Sequence, residues 1–436
     1  MATPNPVTDH RTGRWRLRGL WSSTDFLKLW AGETISLLGS QLTALALPLL
    51  AANLLDASPG QMGFLGFVQY LPWLVVGLFA GVWVDHLRRR PLMVSANLCR
   101  TGLMVLIAAA ALIGSLRIEQ LYLIGFLFGS FTVLFDVAYV AYLPSLIDRD
   151  QLMEGNSNLQ LSASAAEIAG PGLAGFLVQL ASAPIAIAAD AFSFAVSALS
   201  ITSIRKTEPS PEHGHSKPAL LKDASDGLRI VLNHRLLRGF VGCSTFGNIA
   251  IDAHLAVYLL YLTRVLGVGA GTIGLLYSLA GAGGLVGASL SERLVARLGM
   301  GRATTLSQLC HGVCMTAIPL AALLGAAALP LIGLAHFLWG LTAATYLIPG
   351  MSLRQAITPA HLQGRVTASQ RFLTYGLSPI GFLIGGLLGE AIGLWPALLV
   401  AGVSLLLSNL WLRFSPLPGI RDVRSIPAEL LVTDAA

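Results

Sequence analysis

The chain has 436 residues, of which 54% are hydrophobic and only 11% charged, and its mean hydropathy is +0.70. A soluble domain carries roughly 25% charged residues, so this chain cannot clothe itself in a water-facing surface, and most of its exterior must face lipid. Lysine and arginine (28) outnumber aspartate and glutamate (22), a net charge of +6; in a membrane protein that excess belongs to cytoplasmic loops, which removes nucleic acid as its explanation.

Residues 1–24 are polar and basic (Arg11, Arg14, Arg16, Arg18) and read as a cytoplasmic segment. The apolar run behind them is too long for the core of a cleavable signal peptide. A membrane helix needs about 20 mostly apolar residues. That length predicts spans at 26–52, 62–84, 92–114, 119–143, 158–181 and 183–204, then at 238–262, 270–291, 303–325, 328–350, 367–390 and 393–413. The expected fold class is an all-α integral membrane protein of twelve transmembrane helices in two pseudo-symmetric six-helix bundles, 25–204 and 238–413, with a tail at 414–436.

Charge supports the count. With both ends inside, the inner loops hold Arg88, Arg89, Arg90, Arg149, Arg205, Lys206, Lys217, Lys222, Arg229, Arg235, Arg238, Arg293, Arg297, Arg302, Arg354 and Arg365, and the tail adds Arg413, Arg421 and Arg424. The outer loops hold Arg117 and Arg264. Basic residues gather inside, and an eleven-span topology would scatter them over both faces. The linker at 205–237 opens with a turn-rich stretch (Pro209, Pro211, Gly214). It continues into an amphipathic segment (Leu220, Leu221, Ala224, Leu228, Val231, Leu232) expected on the inner membrane surface.

The halves echo one another. A polar stretch, 147–152, precedes span five with its Pro171, and another, 357–362, precedes span eleven with its Pro379. Six-helix repeats around a midplane cavity are a known transporter plan.

The run Gly81-Val82-Trp83-Val84-Asp85-His86-Leu87-Arg88-Arg89-Arg90-Pro91 after span two resembles the loop signature of the major facilitator superfamily, although Arg88 stands where many members carry a second glycine. Phe135-Asp136 through Leu143-Pro144 to Leu152 and Asn156, and 354–365 with Gln363-Gly364-Arg365-Val366, look like its drug:proton antiporter branch, typified by macrolide efflux proteins and the enterobactin exporter. Ala169-Gly170-Pro171-Gly172-Leu173-Ala174-Gly175 is similar to a shortened antiporter motif. The resemblance implies proton-driven export of a hydrophobic or amphipathic small molecule by alternating access, from a bacterial inner membrane, by a monomer without cofactor.

At the inner face, Asp85 can accept from free helix N-terminal amides of span eleven or pair with Arg371 there, making an inner gate of Gly81, Asp85, Arg88, Arg89, Arg90 and Arg371. The alternative is a plain loop anchor at the headgroups. Gly170 and Pro171 allow a bend and Gly175 a close helix contact, for packing or for sealing a cavity.

An ionisable side chain inside a span costs at least about 2.5–3.5 kcal/mol, so each asks for a partner or a function. The proton-coupling candidates are Glu33, Arg100 and Asp136 at similar depths, with Glu167 and Asp252; buried structural salt bridges are the alternative. Asp190 reads as structural, and His254 as a hydrogen-bonded or water-exposed residue near the outer end. Gln41, Trp30, Tyr70, Phe135, Tyr139, Phe246 and Asn248, with Trp73 and Phe126, are substrate-wall candidates, with lipid-facing or packing roles open for most.

Cys310 and Cys314, a helical turn apart beside His311, read as packing rather than a metal site, and Glu212, His213 and His215 as solvated linker. Cys99 and Cys243 also lie in apolar stretches, so no disulfide framework is expected. Gly281, Gly283, Gly284 and Gly287 sit inside span eight with no preceding strand, which excludes a nucleotide loop and leaves close helix packing. Energy then comes from an ion gradient. The function read from the chain is secondary active efflux rather than enzymology. A dedicated siderophore or metabolite exporter is the alternative, and a receptor or lipid scramblase on the same fold stands behind it.

Overall fold

The computed structural model describes residues 20–148, 151–208, 220–359, 361–422, 426–427 and 432. Arg11, Arg14, Arg16, Arg18, Arg149, Pro209, Pro211, Glu212, His213, Gly214, His215, Lys217 and Arg424 lie outside these residues. So do the side chains of Asp85, Leu220, Leu221, Lys222 and Ala224.

In the first half, α1 runs Thr24–Asn53, α2 Pro59–Val75, α3 Gly77–His86, α4 Arg89–Leu112, α5 Ile118–Leu146, α6 Leu152–Leu180 and α7 Ala183–Thr202. A short α8, Leu220–Asn233, follows. In the second half, α9 runs Arg235–Leu260, α10 Ala270–Leu298, α11 Met300–Ala321, α12 Ala328–Ile357, α13 Gln363–Tyr375, α14 Ser378–Ile392 and α15 Leu394–Arg413. No strand occurs among the described residues.

Among the described residues, ten helical stretches are long and apolar enough to cross a membrane. Two local breaks account for the difference from twelve. Gly325 takes φ 56° between α11 and α12, a left-handed conformation that glycine adopts without cost. That turn divides the 58-residue stretch Met300–Ile357 into spans nine and ten. Span two is split at Val76 into α2 and α3, each too short to count alone. Span eleven is also split, and here the cause is plain: Pro379 has no amide hydrogen, so the Tyr375 carbonyl four residues back loses its partner where α13 ends. Pro171 does not break its helix; α6 is continuous through it.

Helix starts follow side-chain chemistry. Ser23 Oγ accepts from Phe26 N, and Ser58 with Gln61 forms a capping box at α2. Helix α8 docks on α13 and α9, where Gly227 abuts the Arg365 carbonyl and Ile230 and Val231 are buried. The glycines of span eight pack as expected: a Cβ on Gly287 would lie 2.8 Å from Leu341 Cα of α12.

At the end of the bundle where α1 begins and α15 finishes, each half keeps its own core: Phe26, Met93, Tyr142 and Ile201 in the first, Val231, Leu237, Leu353 and Leu412 in the second. At the other end, where α1 finishes and α10 begins, the halves share a core, with Leu45, Leu49 and Ala174 packed among Tyr258, Ile273 and Leu398.

Candidate functional site

Between the halves lies a cavity of about 520 Å³, a size suited to a drug-like molecule. Its walls come from α1, α2, α4, α5 and α6 on one side and α9, α10 and α14 on the other. Gln41, Gln69, Thr43 and Thr132 supply neutral polar atoms, while Tyr70, Trp73, Phe128, Tyr277 and Phe382 supply rings. Tyr70 stacks on Phe382 across the halves, ring centroids 5.0 Å apart. Arg100 is the charged residue of the lining.

Arg100 is 4% exposed, its guanidinium 4.3 Å from the Phe135 ring centroid and 4.4 Å from that of Phe194. Such a sandwich offsets part of the desolvation of a buried cation. Its Nη2 donates to Asn97 Oδ1, and Asn97 Nδ2 donates to Ser197 Oγ at 2.9 Å, which fixes the head against α7. Glu33, Asp136 and Asp190 lie within electrostatic range, yet no carboxylate oxygen comes within 4 Å of Arg100. Glu33 is buried with Oε2 lacking a partner, and Asp136 is half-buried. Asp190 accepts from Ser193 Oγ at 2.9 Å while its Oδ2 stays unpartnered. The group is thus gathered but not locked into salt bridges.

The other candidates are dispersed. Glu167 is exposed on α6. Asp252 is buried beside Gly381 of α14, with Oδ2 unpartnered. His254, expected to be hydrogen-bonded or wet, is neither: it is 0% exposed and both ring nitrogens lack partners. His254, His311 and His336 gather around the Trp339 ring, at 6.3, 5.7 and 5.6 Å between ring centroids. Trp30 donates to Ser162 Oγ, Phe135 lies under Arg100, and Tyr139 stacks on Phe135. Asn248 donates to the Ser244 carbonyl, and Phe246 stacks on Trp411 of α15. None of these five lines the cavity; Gln41, Tyr70 and Trp73 do.

The basic run after span two is tied within its own half. Glu208 accepts from the backbone amides of Arg89 and Arg90 at 2.8 and 3.1 Å, occupying the N-terminus of α4. Arg90 Nε donates to the Ile201 carbonyl near the end of α7. Gly81 has open space around it, and Arg88 and Arg371 are exposed.

Closure lies at the opposite face. A Cβ on Gly63 would stand 2.6 Å from Gly386 Cα, and one on Gly175 would stand 2.9 Å from Gly274 Cα. Gly170 packs on Gln41 and Pro171 on Gly274, so the glycine–proline segment sits at this seam. Glu390 accepts from Gly60 N at 3.0 Å at the start of α2. Arg264 donates from Nη2 to Asp56 Oδ1 at 2.6 Å and to the carbonyls of Ala52 and Ala57. Asp56, at φ 48°, holds a left-handed turn there. The Asp56 side chain is 92% exposed, and such a pair contributes about 0–1 kcal/mol. Along this seam the facing glycines bring the two backbones into contact beside the shared apolar core.

Sequence reasoning missed Gln69, Tyr277, Phe382 and Glu208. A neutral glutamine or a ring in an apolar helix carries no signal of facing a cavity, and Glu208 reads as one more linker charge.

Residues 29–382 match the family model described as Major Facilitator Superfamily. The chain is 27% identical over 407 residues to the multidrug efflux pump Tap of Mycolicibacterium fortuitum, covering 89% of this chain and 95% of that protein. It is 20% identical over 221 residues to macrolide efflux protein A of Streptococcus pyogenes, about half of each chain. Among solved structures, a bacterial homologue of the iron transporter ferroportin in its inward-facing state superposes with a TM-score of 0.71 at 18% identity, covering 89% of this chain and 98% of that one. The outward-facing state of a ferroportin homologue scores 0.57. A D-xylose–proton symporter scores 0.65 at 14% identity, over 91% and 99% of the chains.

Proposed function

The chain belongs to the major facilitator superfamily, a multi-pass transporter of small molecules and not an enzyme, and from that premise we propose that it exports a hydrophobic or amphipathic compound in exchange for protons. The observation that carries this reading is the central cavity, with aromatic walls and one buried guanidinium behind which Glu33 and Asp136 lie close and unpaired. Desolvation opposes a carboxylate's charge and a nearby cation supports it. A small shift of Arg100 between conformations therefore changes which form is favoured, and that is how binding of a proton couples to movement. One charge crossing the membrane supplies about 2.3 kcal/mol per 100 mV, enough with a pH gradient to drive export without ATP. The efflux pumps among its relatives support the direction of transport.

The working cycle follows from the seam. With the outer side closed, substrate enters from the inner side. Opening outward separates Gly63 from Gly386, Gly175 from Gly274 and Arg264 from Asp56, and brings α3, which carries Asp85, toward α13, which carries Arg371. The protein works as a monomer in a bacterial inner membrane with both ends inside.

The test is transport in proteoliposomes with an imposed pH gradient, reading efflux of a panel of hydrophobic antibiotics. Glu33→Gln or Asp136→Asn reduces proton-driven export to background while the protein still inserts. Normal pumping by both variants sinks the assignment.

A further inference from the structure

Where the arginine pattern places the cytoplasm, a second cavity of about 610 Å³ lies between α9 and α15, and it shares no lining residue with the central one. Its mouth is Arg235, Arg238 and Ser415, and its wall runs along Trp411 and Phe414. Two glycines make the groove. A Cβ on Gly239 would lie 3.1 Å from the Trp411 carbonyl oxygen, and one on Gly242 would lie 2.5 Å from the Trp411 ring. With no side chain at either position, the indole lies across α9, where it stacks on Phe246 at 5.6 Å.

Exposed rings and basic charge come together at this groove. Trp411 is 39% exposed, Phe246 52% and Phe414 84%, so a strip of rings is bare on the rim of the second bundle. Arg235 and Arg238 in its lining are exposed, and neither has a carboxylate within 4 Å among the described residues, since the two ion pairs there lie elsewhere. Arg235 opens α9, whose N-terminal dipole adds positive potential to the same mouth. A guanidinium fork matches phosphate oxygens in pairs, and basic pockets between helices at the cytoplasmic face are suited to anionic lipid headgroups.

We propose that this groove holds an anionic phospholipid of the cytoplasmic leaflet, its phosphate between Arg235 and Arg238 and one acyl chain along Trp411 and Phe246. The occupant is chosen by charge: unpaired arginines stand over a membrane-facing aromatic strip, which a soluble anion would leave bare. The proposal is independent of what the central cavity carries.

The test is indole quenching in phosphatidylcholine vesicles doped with brominated phosphatidylglycerol or with brominated phosphatidylcholine, the Trp411 component being isolated with Trp411→Phe. Brominated phosphatidylglycerol quenches this component preferentially. The preference falls about fivefold for each arginine removed in Arg235→Gln, Arg238→Gln and the double variant, and excess inorganic phosphate does not relieve it. Equal quenching by the two lipids overturns the proposal, as does a preference that survives in the double variant. Relief by phosphate also overturns it, by assigning the groove to a soluble anion. The wild-type comparison of the two lipids stands without the variants, should one of them fail to insert.

Discussion

The two halves share a six-helix plan and differ in what they bury. The first buries charge: Glu33, Arg100 and Asp190, with Asp136 half-buried. The second buries mostly neutral polar rings, with His254, His311 and His336 packed among Tyr258, Tyr277 and Trp339, and Asp252 as its buried carboxylate. His336 Nδ1 donates to the Ile332 carbonyl at 2.9 Å, which leaves Nε2 to accept from Tyr258 OH at 3.2 Å. A duplicated scaffold thus does not duplicate its chemistry. Buried charge is costly enough to persist where something uses it, whereas imidazoles and rings can fill a core with weak or absent partners.

The sharpest way to break that comparison is Arg100→Leu. Removing the cation leaves Glu33 and Asp190 buried and Asp136 half-buried with no counter-charge in range. The loss is up to about 3 kcal/mol, below that of a broken buried salt bridge because none of them pairs directly with Arg100. The expected result is a large fall in thermal midpoint in detergent, together with lost export. If the variant is as stable as the wild type, the first half is not organised around that charge.

His254→Leu should act in the opposite direction. Two unpartnered nitrogens disappear from a fully buried site, and each such group costs roughly 1–3 kcal/mol. Stability in the same assay is unchanged or rises by up to about 2 kcal/mol, and export persists. A fall of several kcal/mol would mean that the second half depends on its imidazoles as the first depends on Arg100.

The smallest effect is expected from Asp56→Asn at the seam between the halves, which leaves Arg264 its bonds to the Ala52 and Ala57 carbonyls. The Asp56 side chain is 92% exposed, so the loss is about 1 kcal/mol or less. Cysteine labelling of the cavity from outside should rise by no more than about fivefold. A much larger opening would show that the clasp, and not the glycine contacts, holds the outer side shut.

Much of this architecture was legible beforehand because lipid imposes it. Apolar length and the alternation of arginines located the spans, and the glycines of span eight announced close packing before any partner was visible. The two central prolines were equally visible, but not what each does to its helix: α6 runs unbroken through Pro171, whereas span eleven is interrupted before Pro379. Phe246 was open for a different reason: an aromatic in a membrane helix looks the same whether it faces substrate or lipid, and here it stacks on Trp411.

The sequence by itself determined the membrane class, the number of spans, the six-plus-six plan and the presence of costly charges in the first half. Those follow from composition, period and charge sign, which are local properties of the chain. Only the tertiary structure decided which carboxylates gather around Arg100, which rings line the cavity, that three imidazoles share one indole, and that facing glycines join the halves at one end. Each depends on how helices far apart in the chain rotate and pack against one another, and no single helix carries that information.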